Sequence, residues 1–586
     1  MNADRLLDLY EKVAEAPDAV PRLRRFMLDL AVRGKLVPQE ASDEPASELL
    51  KRIAAEKVRL VKAGEIRKPR DLANGDELVP PFDIPATWRW CRLDTVGAII
   101  GGGTPSAGDP ENFAEPGEGI PWLTPADLGG YRELSIERGA RDLTEKGLAS
   151  SSATMMPAGT VLFTSRAPIG YVAIAANPIS TNQGFKSIVP YVADCSRFIA
   201  LAMQTFAPDI DSKAPGTTFK EVSGKIVAGV PFPLPPLAEQ RRIVAKVEEL
   251  MALLDRLEAA RQQREATRDR LTAASLARLT APNADAADFP ANARFALATL
   301  PALTTRPDQI KPLRQAILNL AVRGKLVEQN PTDEPASELL KRIAAKRAEL
   351  VKAGSAKREK PTIGEEFPFE LPTSWSWCTL GKLCQLITKG SSPKWQGVSY
   401  VQQEDGLLFI TSENVGNFTL RKLDDLKYVE RRFKEVEPRS MIQKGDILIN
   451  LVGASIGRTA IYTLPDEANI NQAVSLVRLV DQTIGPSTDY LLMFLNSDAA
   501  VDLMLGSRVI TAQPNISLAN VNDFPIPLPP LAEQHRIVAK VDALMALCDR
   551  LEAALATTDT TRARLLEALL HEALGPAAEA VTEAAE

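Results

Sequence analysis

Pro235–Val247 reads PPLAEQRRIVAKV, and Pro529–Val541 reads PPLAEQHRIVAKV. The paired prolines of each stretch hold the backbone extended, because proline fixes its own φ and disfavours helix in the residue before it. Helix then begins abruptly. Ile243, Val247, Leu250, Leu254 and Leu257 step by four and three, and Ile537, Val541, Leu544, Cys548, Leu551 and Leu555 repeat the pattern. Each is a heptad seam. A helix from Glu239 to Leu279 is about 60 Å long at 1.5 Å per residue, the size of a spacer and not of an ordinary core element. The two seams can pack on each other; the alternative is that each helix lies on its own globule. Arg261, Arg264 and Arg268 interrupt the first seam on one face, which reads as a solvated face or, alternatively, a phosphate or partner contact.

Working outward, nearly everything occurs twice. Leu30–Val37 (LAVRGKLV) returns as Leu320–Val327, and Asp43–Ala55 (DEPASELLKRIAA) returns unchanged as Asp333–Ala345, both displaced by 290 positions. Trp88 and Trp90 return as Trp375 and Trp377 at a displacement of 287, and PPLAEQ returns at 294. So long a period points to duplicated domains and not to a solenoid array. The frames match; the inserts between them, about 88–231 and 375–525, have diverged. Leu23, Phe26, Met27 and Leu30 fall at helical spacing, and Pro45 precedes a second helical pattern through Leu49, Leu50 and Ile53. The Trp-x-Trp pair reads as the first strand of a new domain with its ring in the core. Within the inserts Val161–Thr164 and Ile447–Asn450 are the clearest strands, each after a turn glycine, Gly159 or Gly445. The inserts therefore read as mixed α/β globules. The stretches 281–294 and 575–586 read as mobile.

Composition sets outer bounds. No apolar run approaches a membrane span, and Met1-Asn-Ala-Asp is unlike a signal peptide, so the expected location is the cytoplasm. Cys91, Cys195, Cys378, Cys384 and Cys548 are odd in number and have no CxxC spacing, which argues against disulfides and a zinc cage and for buried thiols. Only His535 and His571 are present, and the repeat partner of His535 is Arg241, which removes most histidine-dependent catalysis.

No active-site signature emerges. Gly453–Thr459 (GASIGRT) is one residue short of a phosphate loop between its glycines and has Arg458 where lysine belongs. No NPPY-like or DPPY-like tetrapeptide, HExxH or GxSxG occurs, Gly101–Gly103 runs into Thr-Pro and not into a helix, and Pro208-Asp209 lacks a downstream Glu-x-Lys. What remains are loops at equivalent places in both inserts. Gly101–Ser106 answers to Lys389–Lys394, Trp122–Thr124 to Phe409–Thr411, Ser165–Pro168 to Val452–Ser455, and Asn182-Gln183 to Asn471-Gln472. Asn and Gln suit adenine edges, Arg and Lys suit guanine, Ser and Thr suit either, and glycine lets backbone approach phosphate. The plainer reading is that these are turns, with Asn182 and Asn471 capping local backbone.

The arrangement resembles the specificity subunit of Type I restriction-modification systems over nearly the full chain. Its most specific marks are the two PPLAEQ helices joined to the twice-used LAVRGKLV and DEPASELLKRIAA frame. The first insert also resembles the family's target-recognition domain in GGGTPS, IPWLTPADL, PAGTVLFTSRAPIGYVAI and TNQ; the second departs from it, with SSPK for GTPS and LVGASIG for TSRAPIG. The resemblance implies a mixed α/β fold: two target-recognition domains joined by two long antiparallel coiled-coil helices in a pseudo-twofold tandem duplication. The expected domains are an N-terminal helical frame at 1–86, a first target-recognition domain at 87–232 and a first spacer helix at 233–280. A linker and second frame at 281–373, a second target-recognition domain at 374–526, a second spacer helix at 527–575 and a disordered tail at 576–586 follow.

In that reading each insert contacts half of a split double-stranded DNA target. The first would use Gly103, Thr104, Ser106, Trp122, Thr124, Ser165, Arg166, Asn182, Gln183 and Lys186. The second would use Ser391, Ser392, Lys394, Thr411, Ser412, Asn414, Ser455, Arg458, Asn471 and Gln472. Two modification subunits carrying S-adenosylmethionine would dock on the duplicated frame and methylate adenine, because two identical partners need two equivalent surfaces. Restriction subunits using ATP and Mg would join them, and the chain itself would hold no cofactor, no metal and no catalytic residue. Half-site centres would lie about one helical turn, roughly 34 Å, apart. Charge sits awkwardly with this. The net charge is −6, with 12 Lys and Arg against 14 Asp and Glu over 88–231 and 14 against 16 over 375–525. Competing readings are a non-catalytic protein-binding scaffold, which the acidity favours, and a self-sufficient methyltransferase or nuclease, which the missing motifs disfavour.

Overall fold

A computed structural model describes residues 7–8, 10–11, 14–64, 66, 78–215, 220–280, 288–356, 367, 369–506 and 515–574. The chain forms two compact units, Met1–Gln263 with Asp559–Glu586, and Arg264–Thr558. Both are mixtures of helix and sheet built to one plan.

In the first unit the frame helices are Ala19–Val32 and Ala46–Lys62. Leu23, Phe26, Met27 and Leu30 form the buried stripe of the first, as their spacing predicts. That helix ends where Gly34 takes φ 67°, and a Cβ there would lie 2.5 Å from the Pro85 ring and 3.2 Å from Trp88. Only glycine fits both the turn and the neighbour. The Ala46 amide donates to Thr87 O at 3.0 Å, which ties the second frame helix to the Trp-x-Trp strand. That strand, Arg89–Arg92, pairs antiparallel with Pro231–Leu234, so the two ends of the insert close on one another. Proline is tolerated there because the sheet has only two strands and its missing N–H faces away from the ladder. The second unit repeats every step: Gly324 at φ 67°, the Ala336 amide on Ser374 O at 3.0 Å, and Ser376–Thr379 against Pro525–Leu528.

Each insert carries two sheets. In the first, a five-stranded sheet runs Gly97–Gly101, Lys186–Pro190, Val161–Ser165, Ile169–Ala175, Ser135–Ile136, and the helix Ser196–Ser212 packs against it. A four-stranded sheet contains the parallel pair Ile120–Leu123 and Ser180–Thr181. In the second insert the four-stranded sheet is built on Cys384–Lys389, Val474–Leu479 and Ile447–Asn450. The five-stranded sheet contains the parallel pair Gly406–Ile410 and Ala468–Ile470. Val161–Leu162–Phe163 and Ile447–Leu448–Ile449 are at most 1% exposed, and Gly159 and Gly445 have positive φ, as the turn-then-strand reading requires.

The repeated motifs meet at one joint in each unit. Glu239, from PPLAEQ, is 1% exposed and accepts from Trp88 Nε1 at 2.9 Å and from Gln39 Nε2. Gln240 Nε2 donates to Pro235 O at 3.0 Å and fastens the first turn of the long helix. Arg242 pairs with Asp43 at 2.6 Å, joining PPLAEQR to DEPASELL. The second unit has Gln329 Nε2 on Glu533 at 2.6 Å, Gln534 Nε2 on Pro529 O at 2.9 Å and Arg536 on Asp333 at 2.6 Å. Burial pushes both glutamate carboxyls up, against the hydrogen bonds and arginines that lower them.

The long helices are Leu237–Thr280 and Leu531–Leu574, 44 residues each, or about 66 Å. Ile243, Val247, Leu250 and Leu254 are buried in the first unit's core beside the frame helix, and Arg24 reaches across to Asp255 at 2.6 Å and Glu258 at 2.8 Å. Ile537, Val541 and Cys548 do the same in the second unit, where Arg314 meets Asp549 and Glu552, both at 2.7 Å. The first turns of each seam therefore hold the unit's own frame. Neither helix stays within one unit: Arg264–Thr280 counts with the second, and the helix from Asp559 on counts with the first. In the first unit Leu566 packs on Ala16 and Ala19.

One expectation is kept and one corrected. The arginine face is solvated at Arg264 and partly so at Arg261 and Arg268, and it is also engaged within the chain. Arg261 donates to Ala16 O at 3.3 Å, and Arg264 and Arg268 lie 3.3 and 2.8 Å from Glu265, because that carboxylate sits one turn or less away. The stretch 281–294 is not wholly irregular: the helix Phe289–Leu303 begins inside it, with Pro290 in its first turn where proline is at home. Residues 281–287 and the tail 575–586 lie outside the described residues. All five cysteines are buried free thiols, and burial pushes Cys91 up to about 12 and Cys195 to about 11. Among the described residues no helix is long and apolar enough to cross a membrane.

Candidate nucleic-acid interface

In the first insert the polar loops converge beyond the ends of the parallel strands Ile120–Leu123 and Ser180–Thr181. The Asn182 amide donates to Leu123 O at 2.8 Å, the Gly103 amide to Thr181 O at 2.9 Å, and the Ser165 amide to Gly184 O at 2.7 Å. Thr104 Oγ1 donates to Gln183 Oε1. Lys186, paired across the sheet with Gly101, reaches Ser165 Oγ at 3.5 Å and Gln183 O at 3.3 Å. The structure thus brings together Gly103, Thr104, Ser165, Arg166, Asn182, Gln183 and Lys186. Ser106 is exposed at the far end of its loop, where its carbonyl accepts from Asn112 Nδ2 at 3.1 Å.

Several of these side chains serve the loops themselves. Trp122 is 3% exposed, with Nε1 donating to Gly103 O at 3.1 Å. Thr124 caps a short turn through Asp127, whose Oδ2 accepts from the Thr124 amide and hydroxyl, both at 2.7 Å. Asn182 Oδ1 accepts from the Gly184 amide at 2.8 Å, the local capping role that competes with base reading. Ser165 is fully buried. Thr104, Ser106 and Gln183 are the exposed members, with Arg166 and Lys186 partly so.

The second insert reproduces this geometry with different side chains. The Asn471 amide donates to Ile410 O at 3.1 Å, and Asn471 Oδ1 accepts from the Ala473 amide at 3.2 Å. Thr411 is fixed by Asn414 Oδ1, which accepts from its amide at 3.0 Å and its hydroxyl at 2.9 Å. Asn414 and Thr411 are buried, and Ser412 O accepts from Asn450 Nδ2 at 2.9 Å. Gly390 brings Ser391 and Ser392 against this cluster, for a Cβ there would lie 1.8 Å from Ile470 O. Ser455 Oγ donates to Val452 O at 3.2 Å, and the Arg458 carbonyl accepts from Asn450 N at 2.9 Å. Lys394 and Gln472 are exposed. The Gly453–Ser455 segment is a single 3₁₀ turn, so no phosphate-binding helix follows it.

The charge pattern differs between the inserts. Where Lys186 faces Gly101, the second insert has Ser475 facing Lys389, so the cation is transposed across the strand pair. Sequence reading missed Glu221, whose two oxygens lie 3.5 Å from Lys186 and 3.6 Å from Arg166. No local pattern marks it, since its partners are 35 and 55 positions away. Asp127 and Asn414 were legible as residues three after a threonine. Among the described residues no cluster of His, Cys, Asp or Glu could hold a metal ion.

The model of the Type I restriction modification DNA specificity domain matches this chain twice, at residues 85–266 and 374–557. The chain is 30% identical to the EcoEI specificity subunit and 31% identical to the EcoAI specificity subunit, Type I restriction enzymes of Escherichia coli. Each alignment covers 97% of this chain and 95% of the relative. The crystal structure of the HsdS subunit from Thermoanaerobacter tengcongensis aligns over 84% of this chain and 98% of its own at 22% identity, with a TM-score of 0.42.

Proposed function

The chain belongs to the specificity subunits of Type I restriction-modification systems, a non-catalytic role, and from that membership we propose that its two inserts read the two halves of one bipartite, asymmetric duplex target. The observation that carries the reading is the double match: the specificity domain is found once on each insert and its long helix, and the two inserts differ where their loops are exposed. Thr104, Ser106, Arg166, Gln183 and Lys186 are the direct contacts of the first reader, with Ser391, Ser392, Lys394, Arg458 and Gln472 those of the second. Gly103, Trp122, Thr124, Ser165, Asn182, Thr411, Ser412, Asn414, Ser455 and Asn471 hold those loops in shape or offer backbone to phosphate. The long helices set the separation of the readers. The frames dock two modification subunits that bring S-adenosylmethionine and methylate adenine, and ATP-driven restriction subunits join them.

The test is an exchange. Residues 374–526 are replaced by the corresponding insert of another Type I specificity subunit, and the chimera is expressed with the modification subunits in a host lacking other adenine methylation. Long-read methylome sequencing is expected to show one half-site changed and the other kept. A target altered in both halves, or in neither, overturns the reading.

A further inference from the structure

Of the six tryptophans, Trp395 alone is exposed, at 73%; Trp88, Trp122 and Trp375 are buried and Trp90 and Trp377 half-buried. An uncovered indole forgoes the largest apolar burial a side chain offers, so its place needs a reason. It does not sit on a loose loop. The turn Pro393–Gln396 is pinned on all sides: the Trp395 amide donates to Ser392 O at 3.0 Å, and Gln396 Nε2 to Ser391 Oγ at 3.0 Å and Glu437 Oε1 at 2.9 Å. Gly397, at φ 64°, closes the turn on Lys394 O at 3.3 Å, and Val398 behind it is buried against Phe409 and Phe433. The ring is thus displayed by a rigid mount, within one turn of Ser391 and Ser392 and next to the exposed Lys394.

We infer that Trp395 packs its ring on duplex DNA at the second half-site, as an apolar wedge against a base step with Lys394 on the neighbouring phosphate. This rests on the reading of the inserts as DNA readers. A protein partner is the other surface that an exposed indole could meet. The duplication argues against it, because a contact with two identical subunits would recur in both copies. The residue after Ser106, which occupies the equivalent place in the first insert, is Ala107. A feature present in one head and absent from the other belongs with what the heads do differently.

The experiment uses the full complex of this chain with its modification subunits, and a duplex carrying the methylated motif found by methylome sequencing. Iodide quenching is measured on the wild type and on W395F, so that the difference isolates the emission of Trp395. The expected result is an indole open to iodide in the free complex and shielded once the duplex is added. W395A is expected to bind that duplex about tenfold more weakly, the scale of one lost aromatic stack, with W395F recovering most of the loss. Scrambling the first half-site should leave the ratio of W395A to wild type unchanged; scrambling the second should abolish the difference. Shielding by the modification subunits before DNA is added, or equal affinity of W395A and wild type, overturns the inference while leaving the functional reading intact. A wild-type complex that binds no duplex overturns both.

Discussion

At the scale of single residues, the repeated glutamate of PPLAEQ explains more than any exposed side chain. Glu239 is buried and accepts from the indole of Trp88, so E239A strands a buried N–H and should cost about 2 to 4 kcal/mol in urea unfolding. Because burial raises its carboxyl above the unfolded value, ionisation works against the fold. The stability tied to this proton is fully present below the ordinary carboxylate range and is lost as pH rises through the folded-state value. Wild type should therefore fall relative to E239Q as pH rises through and above the ordinary carboxylate range, and a flat difference would show that burial does not tax the charge. In the loops the two members of an Asn-Gln pair should separate cleanly. N182A removes the acceptor for the Gly184 amide and should lower the melting temperature of the first unit by a few degrees, for a loss of about 1 kcal/mol. Q183A touches an exposed group and should leave melting unchanged while relaxing one base of the first half-site in the methylome.

At the scale of elements, periodicity told the truth about which face of each long helix is apolar and could not say what that face meets. A stripe of Ile243, Val247, Leu250 and Leu254 satisfies a coiled-coil partner or a frame helix equally well, and in the first unit it lies in one cluster with Leu23 and Met27 of the frame and Leu570 of the other long helix. Likewise Phe289–Leu303 begins in a stretch whose Ala, Asp and Pro content suited disorder, because alanine is also the best helix former and proline is welcome in a first turn. The interface loops were legible where the signal was local, as in Thr124 with Asp127. They were illegible where it was not, as in Glu221, whereas the local caps made by Asn182 and Asn471 follow the plainer reading of those loops as turns. The far end of the first long helix makes a further case. Arg306 binds Glu265 at 2.5 Å and Asp269 at 2.9 Å, and Gln309 donates to Asp269 at 2.8 Å. Burial raises the Glu265 carboxyl, but Arg306, Arg268 and Arg264 outweigh it and hold the group below its usual range; Gln309 and Arg306 do the same for Asp269. The stability from these depressed groups is present above the carboxylate range and is lost as pH falls through the folded values. R306A should raise amide exchange across 264–280 about tenfold at neutral pH and by less in acid, and unchanged exchange would show that the network holds nothing in place.

At the scale of the whole molecule, two facts pull against each other: the family reads DNA, and this chain has a net charge of −6 with neither insert basic. Non-specific affinity for DNA comes chiefly from neutralising phosphates, so the chain without its modification subunits should bind duplex weakly, with a salt dependence much shallower than that of the assembled complex. On the function proposed above, what it contributes instead is spacing. Each long helix begins in one compact unit and ends in a segment that belongs to the other. Inserting seven helix-forming residues after Gln263 and another seven after Thr558 keeps the heptad phase and lengthens each helix by about 10.5 Å. At 3.4 Å per base pair that is about three base pairs. With the modification subunits present, the methylated motif should keep both half-sites unaltered and gain about three unspecified positions between them. An unchanged gap would mean that something other than these helices sets the distance, and a change in the half-sites themselves would mean that readers and helices are not separable parts.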